Sequence, residues 1–400
     1  MRVLYSFPHT LGKPGISTTA FQQVQGIIAA GATVDVVCTS LGAELPGARL
    51  VVETMTLLGR RVPHRALGVY RAYRRHDAVA ARLLGRRRSE VDLVHCWPAG
   101  CLKTLASARS TGVPSFREVP SAHTETAYED AAREARSLGI ELPAGHHHRY
   151  DRRHLDRELA EFAAADFLLV PSEYVERTFL ERGHPPERLI RHGYGFDPET
   201  FGSVAGDGAN SATGGLTVVF VGRGEPNKGL HLALRAWIDS GAAERGRFLV
   251  CGDILPSYRQ KLAALLRHPS VEELGFVSDV GAVMRAAEVL VLPSITEGSA
   301  LVTYEAQAAG CALLVSAAAG APCTHLEECL VHDPGDVAAL TDHLRRVDQD
   351  RALLDALRAG ARANAAGLTW AAAGERLLEA YATGLRRTAT VVARRSGEPA

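Results

Sequence analysis

The stretch Val289–Gly310, VLVLPSITEGSALVTYEAQAAG, admits few folds. Its apolar run Val289-Leu290-Val291-Leu292 is stopped by Pro293 and Ser294. A short apolar run ended by a breaker predicts a fully buried strand of a parallel sheet. A loop holding Glu297, Gly298 and Ser299 follows, then a helical pattern from about Ala300. Glu297 and Glu305 are spaced E-x7-E, the first at the strand's carboxyl end and the second about two turns along the helix. Open α/β sheets bind ligands in that crevice, where helix-start N–H groups favour anions. Taken by itself, the spacing also suits a plain βα unit with one loop glutamate and one surface glutamate.

A second unit lies upstream. Val218-Val219-Phe220-Val221 leads into Gly222-Arg223-Gly224-Glu225-Pro226-Asn227-Lys228-Gly229, with a helix beginning near Leu230. This is a buried strand, a glycine-rich turn carrying two cations, and a helix. Together the two units resemble the donor half of the retaining glycosyltransferases of family 4, which have the GT-B fold. The resemblance implies an α/β chain of two Rossmann-like, doubly wound parallel-sheet domains facing across a cleft. It also implies donor contacts from Arg223 and Lys228 to a diphosphate, from Glu305 to ribose and from Glu297 to the sugar. Gly298, Ser299, Ala300 and Leu301 would supply backbone contacts, and Asp253 and Val277 would flank the base.

Four hundred residues suit two domains of about 200 each. A chain 46% hydrophobic and 22% charged has ample core for both. The formal net charge of zero gives no bias toward nucleic acid. No stretch approaches the roughly 18 apolar residues of a membrane span, and the start lacks a signal-peptide core. Seven scattered cysteines without a CxxC pair read as reduced core thiols of a cytoplasmic protein. The arginine-rich segment 60–88 suits either a helix with one solvated basic face or a peripheral contact with anionic lipid.

In the first half, Val3–Tyr5 is a predicted strand, 9–16 a loop, and Ser17 a candidate cap for a helix to about Ala30. Strand–helix alternation continues, which argues for a doubly wound sheet. By resemblance, Gly15 and, less closely, Gly12 would let the backbone approach the donor diphosphate. The acceptor-side loops would hold His123, with Glu118 and His95 behind it. A histidine there titrates near neutrality and can hold a hydroxyl or move a proton. His146-His147-His148 reads as a polar loop before a helix near Asp151, because adjacent histidines on a helix cannot share one ion. Residues 202–215 have linker composition and place a domain boundary between 1–201 and 216–369. A last helix, about 370–390, would return to the first domain, as it often does in GT-B enzymes.

The resulting expectation is retaining transfer of a sugar from a nucleoside diphosphate sugar to an acceptor hydroxyl, in bacterial glycoconjugate, glycolipid or secondary-metabolite synthesis. It needs neither metal nor cofactor, since two cations serve the leaving diphosphate. Two alternatives use the same donor site, a nucleotide-sugar epimerase and a catalytically silent nucleotide-sugar binder.

Overall fold

The computed structural model describes residues 1–57, 60–61, 68–202 and 214–396. The proposed boundary at 202–215 and the part of the basic segment that includes Leu67 therefore lie largely outside the described residues, as does the end of the tail.

Two parallel sheets carry the chain. The first contains β1 (Arg2–Leu11), β2 (Thr33–Leu41), β3 (Leu50–Glu53), β4 (Leu93–Cys96), β5 (Ser115–Glu118), β6 (Phe167–Val170) and β7 (Leu189–Arg191). Their order is β3-β2-β1-β4-β5-β6-β7. The second holds β8 (Thr217–Val221), β9 (Arg247–Cys251), β10 (Val271–Gly275), β11 (Val289–Leu292), β12 (Ala312–Ser316) and β13 (Cys329–His332), in the order β10-β9-β8-β11-β12-β13. The chain is thus α/β, with strands buried on both faces. Val218 to Phe220 and Val289 to Val291 are fully buried, which explains their unbroken apolar runs.

In both sheets the strand order reverses beside the first strand, between β1 and β4 and between β8 and β11. Loops that leave neighbouring strands in opposite directions open a crevice at such a point. The crevice of the second sheet therefore lies between the β8 and β11 loops, which carry the two sequence motifs.

Several expectations change at the edges of elements. β1 runs on to Leu11, so His9, Thr10 and Leu11 are strand and only 12–15 form the loop. Helix α1 (Ile16–Ala29) starts from Gly15, and Ser17 is a buried residue inside its first turn rather than a cap. The basic segment contributes a two-residue strand, Arg60–Arg61, and helix α2 (Val69–Arg86). That helix buries Ala72, His76, Asp77, Ala80 and Leu84 and leaves Arg71, Arg74, Arg82 and Arg86 exposed. The pattern is that of a helix with one solvated arginine face. No described helix is long and apolar enough to cross a membrane.

Two further helices, α3 (Thr124–Ser137) and α4 (Arg152–Ala164), follow β5. The connection between them reaches across to the second sheet, where Ile140 joins the core built on β8, β9 and β11. Glu134 of α3 pairs with His231 at 2.7 Å, at the start of helix α5 (Leu230–Asp239). The chain returns at its end. The last helix, α7 (Trp370–Ser396), places Leu377, Ala380 and Tyr381 in the core of the first sheet. Gly26 of α1 and Gly374 pack so closely that a Cβ on Gly374 would sit 2.3 Å from the Gly26 carbonyl carbon.

Candidate active site

The β8 turn and the β11 loop are built against each other. Gly229 adopts φ +72° and lies so close to the chain after β11 that a Cβ would be 2.2 Å from the Pro293 carbonyl oxygen. Only glycine combines that conformation with that approach. The Ile295 N–H donates to the Asn227 carbonyl at 2.7 Å. This backbone clasp brings Lys228 to Glu297, and the ammonium contacts Glu297 Oε2 directly. Both side chains keep about a fifth of their surface exposed, 22% and 21%.

Arg223 stands on the other side of the turn with its side chain 66% exposed, reaching Glu225 at 2.5 Å. Burial pulls Lys228 down to about 8, with Arg223 adding to the effect and Glu225 opposing it. An anion between Arg223 and Lys228 would restore the charged form. The turn is therefore a two-cation cradle with a carboxylate within reach.

Glu305 lies on helix α6 (Leu301–Ala308), whose N-terminus has no capping side chain. Its carboxylate has no hydrogen-bond or ion-pair partner among the described residues, and burial raises it to about 7. A raised carboxyl pKa means the native state keeps a proton that the unfolded chain loses between about pH 4.5 and 7. Native stability is therefore expected to decline as pH rises through that window. Glu305→Gln should remove the decline, amounting to at most about 2 kcal/mol after solvent screening. Urea unfolding at pH 5 and pH 8 checks it, and equal pH dependence in both proteins would refute it.

The first domain closes on this loop at Gly298. Ala122 N–H donates to the Glu297 carbonyl at 3.1 Å, and Ser172 Oγ donates to the Gly298 carbonyl at 2.6 Å. Gly15, φ +89°, stands at the open N-terminus of α1 with nothing near its Cβ position. Asp253 and Phe276 are exposed at the ends of β9 and β10, with Val277 half-buried beside them.

Three expected acceptor-side residues are placed otherwise. His123 is buried, caps α3 by accepting from Glu125 N–H, and packs on Phe162 and Phe179. Burial pulls it down to about 4, with His184, Arg182 and Arg117 adding to the effect. What its loop presents to the cleft is backbone, from Pro120 to Ala122. His95 and Glu118 are fully buried. His95 sits within β4, so its ring enters the layer under α7, 2.6 Å from the Tyr381 hydroxyl. Glu118 accepts from His192 Nε2 at 3.0 Å and Tyr194 OH at 2.8 Å, inside the domain. Neither faces an open surface. Ala300 also changes role, since its N–H already donates to the Ala319 carbonyl. Ser299 Oγ is engaged with the Gly320 carbonyl and Tyr304 OH.

Glu225 had no assigned role in the sequence reading, although an acid between two cations of a glycine-rich turn was a visible signal. The histidine run forms a loop before α4, and it brings His146 Nε2 to 3.4 Å from Glu225 Oε1. Ligand atoms of His146, His147 and Glu225 lie within 4.8 Å of one another. Two observations make this a poor cation site. Glu225 already pairs with Arg223, and His146 Nδ1 accepts the His148 N–H at 3.2 Å, so its proton sits on the nitrogen facing Glu225.

Residues 215–350, which contain both motifs, match the family described as Glycosyl transferases group 1. The chain is 30% identical over 322 residues to the D-inositol 3-phosphate glycosyltransferase 1 of Catenulispora acidiphila, covering 74% of this chain and 73% of that protein. It belongs to the group 1 glycosyltransferases. The corresponding protein of Kineococcus radiotolerans is 27% identical over 94% of this chain and 91% of its own length. Among solved structures, the glycosyltransferase resembles sucrose-phosphate synthase from Thermosynechococcus elongatus, with a TM-score of 0.66 at 19% identity, covering 95% of this chain and 98% of that one. It also resembles Anabaena HepE in complex with UDP, with a TM-score of 0.63 at 16% identity, covering 96% of this chain and all of HepE. These likenesses give the glycosyltransferase the GT-B fold.

Proposed function

We propose that this glycosyltransferase moves a sugar, with retention of anomeric configuration, from a nucleoside diphosphate sugar to an acceptor hydroxyl. The observation that carries the reading is the Lys228–Glu297 contact, set beside exposed Arg223 and an unpartnered Glu305. Arg223 and Lys228 take the diphosphate and stabilise it as it leaves. Glu305 accepts from the ribose hydroxyls, Phe276 offers a face to the base, and Glu297 meets the transferred sugar. Gly15 and the uncapped start of α6 add N–H groups for phosphate. Cationic side chains serve the leaving group, so the transfer requires no metal. Retention rests on the E-x7-E resemblance, and the nuclear magnetic resonance coupling of the product anomer reads it directly. HepE, with complexes named for UDP and UDP-glucose, supports a nucleotide-sugar donor.

On this reading residues 216–369 hold the donor, and residues 1–201 with the returning helix hold the acceptor. The relatives named for inositol 3-phosphate suggest an acceptor bearing an anion. Arg74, Arg153 and Arg157 line one small cavity with Tyr70 and Tyr73, and the two carboxylates of its wall, Asp77 and Glu161, are taken up by the Thr104 N–H and by Arg117. That wall suits a phosphate on a small hydroxylated acceptor handled in the cytoplasm.

Thermal unfolding with UDP, GDP, TDP and ADP tests the donor assignment. A nucleotide at 100 times its dissociation constant adds about 2.7 kcal/mol of stability. One of the four is expected to raise the midpoint in wild type, and less so in Lys228→Ala. No shift with any of them would overturn the donor site itself, and a shift without turnover of any donor would favour the silent binder.

A further inference from the structure

The connection from α3 to α4 belongs to the first domain in sequence, yet it reaches the donor turn in space. The Glu134–His231 ion pair and Ile140, seated in the second core, anchor its start. Two turns then pin the histidine run. His146 N–H donates to the Pro143 carbonyl at 3.1 Å, and Arg149 N–H to the His146 carbonyl at 2.9 Å. The His146 ring is committed, with Nδ1 on the His148 N–H and Nε2 facing Glu225. His147 is not. It is exposed, and its ring has no hydrogen-bond partner among the described residues.

Stacking fixes the direction of this free ring. Its centroid lies 4.6 Å from that of His146, with 19° between the planes, and 4.1 Å from that of His148. A ring nitrogen of His147 stands within 4.8 Å of a Glu225 carboxylate oxygen. Glu225 in turn holds Arg223 at 2.5 Å. The donor turn therefore has two cations of its own, Arg223 and Lys228, and beside them an imidazole delivered by the other domain. On its far side His147 borders a cavity whose charged lining is Arg149, Asp151, Arg152 and His154. Desolvation lowers His147 from its ordinary value, Glu225 opposes this, and His146, Arg223 and Lys228 add to it. The same surroundings that make a poor cation site suit an anion.

We infer, on the donor site proposed above, that His147 is a further ligand of the donor diphosphate, supplied to the second domain's site by the first. A phosphate held by Arg223 and Lys228 lies within reach of the imidazole, whose N–H donates to it. The negative charge offsets the two cations that hold His147 down, so the ring gains a proton as the diphosphate binds. Linkage fixes the sign. The affinity that His147 contributes is largest at low pH, where the ring is charged, and is lost as pH rises through its value in the complex.

The test measures dissociation constants of UDP, and of inorganic pyrophosphate as a base-free diphosphate, for the full chain by calorimetry. His147→Ala is expected to weaken both about tenfold, the low end for a charge-assisted hydrogen bond. His147→Gln keeps an N–H donor without the titration, so it should recover part of the loss. The ratio of wild-type to glutamine-variant affinity should be larger at pH 6 than at pH 8. A packing role for the ring would not produce that difference. The residue is exposed, so both variants are expected to fold. Affinity in His147→Ala within about twofold of wild type, or a ratio that does not change with pH, would overturn the inference. Lys228→Ala separates it from the donor site itself. Weakening by Lys228→Ala alone leaves the cradle standing and removes His147, and weakening by neither variant removes both.

Discussion

Lys228→Ala is expected to lower kcat by about 10²–10³-fold, the usual loss when a preorganised group on a departing oxyanion is removed. Two features of the ammonium put the effect in the chemical step. It is positioned by backbone, through the Gly229–Pro293 approach and the Ile295–Asn227 hydrogen bond, so it needs no rearrangement to meet the diphosphate. It also touches Glu297, so a donor whose diphosphate displaces this contact exchanges one anionic partner for another. Arg223, largely exposed and paired with Glu225, makes no contact with Glu297 among the described residues and is not expected to replace it. A second readout is the pH profile. Burial sets Lys228 at about 8 in the free protein, so kcat/KM should fall above that value as the ammonium loses its proton. The alanine variant should lack that alkaline limb. Folding is expected to be little changed, because Glu297 keeps solvent access. A kcat within fivefold of wild type would remove Lys228 from the mechanism.

The two βα units of the second sheet were legible because their information is local. A four-residue apolar run stopped by Pro293 specifies a central strand, and β8 and β11 are adjacent because the strand order reverses there. The motif residues then meet without any long-range detail. Side-chain orientation in the first sheet was not legible in the same way. His95, Glu118 and His123 have the chemistry of a site, yet strand alternation and helix capping turn their side chains inward. Whether a polar residue at a strand end faces the cleft or the core depends on partners far away in sequence. For Glu118 these are His192 and Tyr194, and for His95 it is Tyr381 on the last helix. Glu225 shows the same limit from the other direction. Its role follows from a histidine loop that crosses between the sheets, and no spacing in the sequence announces that crossing. The boundaries at Leu11 and Gly15 shifted for a simpler reason, since β1 pairs with β2 beyond its apolar core, through Thr10 and Leu11.

Gly298→Ala should separate closure from donor binding. The glycine's conformation is not the issue, as its φ lies outside the left-handed region. Space is. A Cβ there would stand 2.0 Å from the Pro120 carbonyl oxygen and 2.7 Å from its carbon, and both are backbone atoms of the opposing domain. Nothing flexible can yield, so the 119–122 loop must retreat by about 1 Å to regain van der Waals distance. That retreat breaks the Ala122–Glu297 hydrogen bond and loosens the Ser172–Gly298 contact. Displacements of this size at a positioned group cost about 10²-fold in rate. The contact is confined to one loop, so local retreat of 119–122 should relieve the strain without unfolding, and the stability loss should stay near the low end of the roughly 1–3 kcal/mol typical of overpacking. The expected pattern is therefore a hundredfold loss of transfer, a small fall in the unfolding midpoint, and UDP binding within a few-fold of wild type. Transfer at the wild-type rate would mean that the contact between Pro120 and Gly298 is not part of the reacting state. Loss of UDP binding together with activity would mean that closure shapes the donor site itself, and that Lys228 and Glu297 are not preorganised by the second domain alone.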